Sequence, residues 1–291
     1  MTNDTLEAHS FRIDDPDEPD RILEGWIEAP AGSEERGERL PAVIVCHGFK
    51  GFMDWGFFPE ISRRLVERGL VAVRFNMSGS GIGSDPETMD DDAAFEANTP
   101  SREIEDLARV RGFLETGTVP WVDPECCGVM GHSLGGGVAL VHAAQRGDYP
   151  AVVTWAAVGR FDRYDPGDVY AWRERGWLPV PNGRTGQTHR LGVGWLDDIE
   201  THAEVLDIQA ACRRLEAPTV LIHGTADEAV PIAEGEALAA ALPDGRGQWC
   251  PLEGAGHTFG AGHPFQGTTP HLEEALERTV EAFGRHLLGG S

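Results

Sequence analysis

Glu125-Cys126-Cys127-Gly128-Val129-Met130 runs into Gly131-His132-Ser133-Leu134-Gly135-Gly136-Gly137, and then into Val138-Ala139-Leu140-Val141-His142-Ala143-Ala144. The short apolar run before the glycines predicts a strand. The stretch after them is apolar on every side of a helical wheel, which predicts a buried helix. The link between the two fits the pattern G-x-S-x-G at 131–135. A chain that turns sharply from strand to helix at a serine holds that serine in a strained conformation and exposes its hydroxyl. Side chains two residues before and after would collide there, so both positions call for glycine. The start of the helix also aims its free N–H groups and the positive end of its dipole at any developing negative charge. The plainer alternative is a glycine-rich turn around a buried serine.

Working outward, the same rhythm of strand and helix recurs. Residues 21–29 and Leu40–Cys46 read as strands, split by the polar loop Ala31-Gly32-Ser33-Glu34-Glu35-Arg36-Gly37. The unbroken apolar character of 40–46 suits a strand covered on both faces. Ile61, Leu65 and Val66 fall on one side of a helix that Gly69 stops. Residues 70–75 form the next strand, and Thr99-Pro100 supplies an N-cap and first-turn proline for a helix through Leu114. Strands follow around 151–158, 219–224 and 247–252, with a helix at 233–242 and a last one towards the end of the chain. Strands alternating with helices predict a parallel sheet with helices on both faces, in one domain over 1–291. Residues 14–20 are a polar turn. The stretch 160–207 breaks the rhythm: it is rich in Trp, Arg, Gly and Pro and shows no clear element. A connection of that length predicts a functional insertion, a cap over a site.

Composition narrows the function. Hydrophobic residues are 41% of the 291, enough for a sizeable core. There are 24 basic against 48 acidic residues, a net charge of −24. Such a surface repels nucleic acid and anionic membranes, so neither is an expected partner. No run has the apolar length to cross a bilayer. The opening residues 1–10 hold no basic segment and no apolar core, so no secretory leader is expected and the reading is cytoplasmic. Lys50 is the only lysine. Acidic excess with scarce lysine predicts a halophilic protein, in which salt screens self-repulsion; a GC-rich genome is the bland alternative. Five cysteines without metal-like spacing predict reduced, mostly buried thiols. No metal and no other cofactor is implied.

A serine hydroxyl needs a base, and the base needs an orienting carboxylate. On a strand-turn-helix nucleophile these follow in the order Ser, Asp or Glu, His, in loops after later strands. Thr219-Val220-Leu221-Ile222-His223-Gly224 leads to Asp227, and Leu252-Glu253-Gly254-Ala255-Gly256 leads to His257. Ser133, Asp227 and His257 are therefore the expected catalytic residues. Glu228 is the alternative carboxylate. Asp197 and Asp198 lie in the cap, His263 and His271 read as loop or surface residues, His142 as a core residue, and His223 as a structural hydrogen-bonding residue. An oxyanion hole needs two N–H donors. Leu134 follows the nucleophile, and Phe49 follows the strand end Cys46-His47-Gly48, with His47 propping that loop. The glycine-rich 76–84 lacks the lysine and spacing of a phosphate loop and reads as a turn beside the site. Aromatic residues crowd the region. Trp55 and Phe58 after the oxyanion loop, with Trp172 and Trp177 in the cap, are the expected substrate-binding residues for an apolar or aromatic acyl group. They could equally pin the cap to the body.

The segments 47–51, 131–136, 223–231 and 254–257 together resemble the α/β-hydrolase superfamily over most of the chain. More narrowly, they resemble its dienelactone-hydrolase-related, cinnamoyl- and feruloyl-esterase-like branch. That resemblance implies an α/β-hydrolase fold with a central, mostly parallel eight-stranded sheet, and hydrolysis through an acyl-enzyme. The expected reaction is cleavage of small carboxylic esters, by a monomer or homodimer. Ser133 stands where true dienelactone hydrolases carry cysteine, which argues against dienelactone itself. The same triad serves amidases, peptidases and lipases. A polar, Arg-rich cap disfavours a lipase lid, and no room exists for the propeller that such peptidases commonly carry. A non-catalytic binding protein on the same scaffold would usually have lost a triad member.

Overall fold

The computed structural model describes residues 6–289; the first five residues of the opening stretch read for a secretory leader lie outside the described residues. β1 (Leu6–Asp14) and β2 (Ile22–Pro30) form a hairpin, and α1 (Ser33–Arg36) bridges to β3 (Leu40–Cys46). Next come α2 (Phe58–Glu67), β4 (Val71–Phe75), α3 (Asp92–Glu96), α4 (Pro100–Glu115), β5 (Val122–His132), α5 (Leu134–Arg146) and β6 (Val152–Trp155). The stretch expected to lack regular structure contains α6 (Pro166–Arg175), β7 (Trp177–Pro181), β8 (Thr188–Gly192) and α7 (Gly194–Thr201). The chain closes with α8 (Ile208–Arg214), β9 (Thr219–Gly224), α9 (Ile232–Ala241), β10 (Gly247–Leu252) and α10 (Pro270–Leu287).

Eight strands form one sheet in the order β1-β2-β4-β3-β5-β6-β9-β10. β1 and β2 are antiparallel to their neighbours; the six from β4 to β10 run parallel. This is the α/β-hydrolase fold. β3 shows why its sequence is apolar throughout. Ala42, Ile44 and Cys46 pack into the core that holds α4 and α5. Val43 and Val45 face the second core, under α2 and α10. A two-stranded hairpin, β7 with β8, stands apart from the main sheet.

Two details refine the sequence reading. β1 was not anticipated: its outward residues are polar and Phe11 is its buried anchor, so it reads poorly as a strand until paired with β2. β5 starts earlier than its apolar run. Its register on β3 slips between Pro41 and Ala42, so that Asp123 and Cys127 meet consecutive partners and the residues between them bulge out. Thr99 caps α4 by accepting from Arg102 N–H, as its position predicts. The five cysteines are free, four of them buried.

Candidate active site

Ser133 is the N-cap of α5, with φ 57° and ψ −119°. A non-glycine residue there stores about 1–3 kcal/mol of strain, which survives only if its surroundings over-determine it. They do. Ser133 N–H donates to Trp155 O at 2.8 Å, and Ser133 O accepts from the N–H groups of Gly136, Gly137 and Val158. The flanking glycines are sterically required. A Cβ on Gly131 would lie 2.1 Å from Gly135 O, and one on Gly135 would lie 2.2 Å from His47 O. α5 is buried from Leu134 to Ala143, which accounts for its apolar sequence.

Asp227 lies just beyond β9 and His257 just beyond β10, so both reach the edge of the sheet where Ser133 stands. His257 Nδ1 is 2.8 Å from Asp227 Oδ2. A carboxylate accepts only, so Nδ1 carries the hydrogen and Nε2 is left bare. Asp227 Oδ1 accepts from the N–H groups of Ala229 and Val230, both at 2.9 Å. Burial works to raise the Asp227 carboxyl, but hydrogen bonds from His223, His257 and Val230 N–H outweigh it and hold the group well below the usual carboxylate range. Glu228, the alternative carboxylate, is exposed and has no ion-pair partner among the described residues. The approach of the two loops depends on Gly224, where a Cβ would meet Ala255 O at 2.2 Å.

Ser133 and His257 line one cavity of about 230 Å³, together with Gly48, Phe49, Trp55 and Phe58. A second, of about 190 Å³, opens on the other side of Ser133, between Leu134, Tyr164 and Trp195. Phe49 borders both. Its ring packs on Phe95 and edge-on against Trp195. No acceptor among the described residues takes Phe49 N–H, and Leu134 N–H opens a helix and has no intrahelical partner. The Phe49 loop is held by His47: its Nε2 accepts from Met77 N–H at 3.0 Å and its Nδ1 donates to Gly48 O at 2.9 Å. Burial lowers His47 to about 4, keeping it neutral for both roles. The glycine-rich turn after β4 thus serves as the other half of that prop.

The four expected substrate-binding aromatics separate. Trp55 and Phe58 line the cavity. Trp172 does not: it is fully buried and packs edge-on against Tyr164. Trp177 sits on the β7–β8 hairpin between the guanidinium groups of Arg175 and Arg190. These two hold the 160–207 segment together, because neighbouring side chains bury or stack on them. His132, which the sequence reading passed over, does more. Its Nε2 donates to His257 O at 3.0 Å and its ring lies 4.7 Å from that of His257. Burial, then the neighbouring His257, lowers it to about 3, so it stays a neutral donor. Its position inside G-H-S was the available signal. Lys50, Asn182, Arg184 and Thr258 also line the cavity unannounced. His142 bonds to Tyr149 in the core, and His223 Nε2 donates to Val230 O at 2.8 Å. His263 accepts from Gly56 N–H behind the site, and Asp198 accepts from Ser101 N–H. Among the described residues, no group of three His, Cys, Asp or Glu is placed to hold a metal, and no helix is long and apolar enough to cross a membrane.

Comparison with known proteins agrees with this architecture. The chain is similar to 2,6-dihydropseudooxynicotine hydrolase of Paenarthrobacter nicotinovorans, with 23% identity over 203 residues. That match covers 66% of this chain and 46% of the enzyme, so this chain spans about half of its curated relative. A putative hydrolase from Agrobacterium vitis shares the fold with a TM-score of 0.69 at 18% identity, covering 97% of this chain and 99% of that one. Est1E from Butyrivibrio proteoclasticus, also seen with ferulic acid bound, gives 0.64 at 17% identity over 96% and 98%. The family model for prolyl oligopeptidases matches residues 55–265, a span that takes in Ser133, Asp227 and His257. The chain has the α/β-hydrolase fold and belongs to the prolyl oligopeptidase family.

Proposed function

We propose that this hydrolase cleaves small carboxylic esters with short or aromatic acyl groups, through an acyl-enzyme on Ser133, His257 and Asp227. One observation carries the reading: a strained, four-times-anchored serine shares a cavity with a histidine whose other nitrogen is bound to a buried carboxylate. His257 Nε2 takes the Ser133 proton as Oγ attacks the carbonyl carbon. Asp227 holds the ring and stabilises its cation. Phe49 and Leu134 N–H groups receive the oxyanion. His257 returns the proton to the alcohol, then draws one from water to release the acid. His132, through the His257 carbonyl, positions the base. The substrate is a small molecule, and the protein acts without a cofactor as a cytoplasmic monomer or homodimer whose acidic surface suits high salt.

The family match favours a second reading, cleavage of amides or peptides by the same residues. A panel of para-nitrophenyl esters from acetate to laurate, a ferulate ester and matching anilides, at low and molar salt, separates the two. Ester turnover that vanishes in Ser133→Ala supports the first reading. Anilide turnover without ester preference supports the second.

A further inference from the structure

The cavity that holds Ser133 and His257 contrasts with the rest of the molecule. The chain carries 48 acidic residues, and none lines either cavity beside Ser133. The larger one is lined instead by Lys50, the sole lysine, and Arg184. Neither has a carboxylate within 4 Å among the described residues, whereas most arginines of this protein do. Lys50 Nζ is spent on one carbonyl, Pro181 O at 3.2 Å. Arg184 donates to Glu87 O and lies over the Phe52 ring, 5.5 Å from its centroid. Asp85 feels Arg184 at longer range but is not part of the wall. The smaller cavity differs: Arg163 there is already paired with Glu234, and Arg160 lies 4.0 Å from Asp162.

Lys50 also stands in a costly place. It follows Phe49 directly and has φ 58°, in the left-handed region that favours glycine or asparagine. A protein of net charge −24 repels anions at long range, but salt screens that field beyond roughly 8–10 Å. Lys50 and Arg184 are both exposed, so solvent weakens each contact, but two cations with no carboxylate within 4 Å among the described residues stand together at the cavity wall and act on an anion at contact distance. Opposite them, Trp55 and Phe58 offer an apolar surface.

We infer that the substrate of this site carries a carboxylate on a small, flat organic group, with the carboxylate between Lys50 and Arg184 and the group against Trp55 and Phe58. This rests on the hydrolase reading for its reaction, but not for its binding. The test therefore has two arms. In the first, para-acetoxybenzoate is compared with para-acetoxybenzamide, and phenyl para-carboxybenzoate with its carboxamide; the pairs place the charge on the alcohol or the acyl side. The carboxylate of at least one pair should exceed its amide in kcat/KM by about tenfold or more, the worth of a charged hydrogen bond. Lys50→Gln and Arg184→Gln should each cut that ratio by about tenfold, Lys50→Arg should restore it, and molar salt should reduce it. A role in loop structure alone would lower both members of a pair together.

In the second arm, calorimetry on Ser133→Ala compares para-hydroxybenzoate with para-hydroxybenzamide, free of turnover. Tighter binding of the anion, weakened by Lys50→Gln, supports the inference even if no ester is cleaved. Equal or weaker binding of the anion overturns it, as does a ratio at or below one in both ester pairs. Hydrolysis of the neutral amide-bearing esters in that case leaves the hydrolase reading standing alone.

Discussion

The turn at Ser133 and the segment 160–207, which reads in sequence as a cap, are built on opposite principles. At the turn, the main chain does the work: Ser133 is fixed by four backbone hydrogen bonds, and Gly131 and Gly135 are dictated by backbone atoms about 2 Å from where a Cβ would sit. In the cap, side chains do it. Arg173 pairs with Asp197 and Glu200, two arginines enclose Trp177, and Trp172 plugs the underside against Tyr164. Gly167 and Gly183 of this segment have nothing within 4 Å of an added Cβ; Gly192 is the exception, where a Cβ would meet Glu96 O at 2.4 Å. A main-chain device tolerates almost no substitution; a side-chain mosaic tolerates many.

That contrast can be broken or sharpened by a series of measurements. Ser133→Ala should abolish turnover, by about 10⁶ in kcat, with circular dichroism and Tm unchanged. Asp227→Asn should leave the loop geometry in place and lower kcat by about 10⁴, because the amide can no longer hold the Nδ1–H tautomer of His257. Gly135→Ala should cost about 3 kcal/mol or more and at least about 10² in kcat/KM, since either His47 O or the serine must move. Gly167→Ala, a sterically open position in α6, should instead be neutral or gain up to about 1 kcal/mol.

The next measurement is pH dependence of Tm. Burial is the main cause lowering His132 to about 3, and His47 and His142 to about 4. Below the ordinary histidine range the unfolded chain takes up protons that the folded one refuses, so their contribution is complete above about pH 6.5 and is lost as pH falls towards 4. Glu103, pushed up to about 8 by burial, works in the opposite sense above pH 4.5. Burial also raises the Asp106 carboxyl and lowers His286, so four histidines stand against two carboxyls and leave a net fall of Tm from pH 6.5 to 4.5, accompanied by loosening of the Phe49 loop that His47 holds. The smallest effect belongs to Arg173→Ala. Its ion pairs are well exposed, so Tm should move by no more than about 3 °C, and by nothing at molar salt.

The same contrast explains what could be read from the sequence. Backbone requirements leave marks in residue type: glycines around Ser133, Thr99 before Pro100, unbroken apolar runs in β3 and α5. From them the sheet, its covering helices and the edge that gathers Ser133, Asp227 and His257 follow. Side-chain mosaics leave no such mark. Trp55 and Trp172 look alike in sequence, yet one borders the cavity and the other is sealed inside the protein, because burial depends on partners far along the chain. The helix, hairpin and helix of the cap were hidden for a related reason. Their sequences are short and rich in arginine and glycine, and they hold their shape through ion pairs and stacking instead of a continuous apolar stripe. β1 was missed because an edge strand with one buried anchor has almost no period to detect.

Phe49 joins both principles in a single residue. In the proposed chemistry it serves through its main-chain N–H, while its ring is the partition between the two chambers that flank Ser133. A function carried by the peptide group is indifferent to the side chain attached to it. Mutational drift or deliberate engineering at this one codon can therefore redraw the boundary of the recognition space, merging or narrowing the chambers, without erasing the donor itself. On that proposal, the most changeable specificity element sits on the least changeable functional atom.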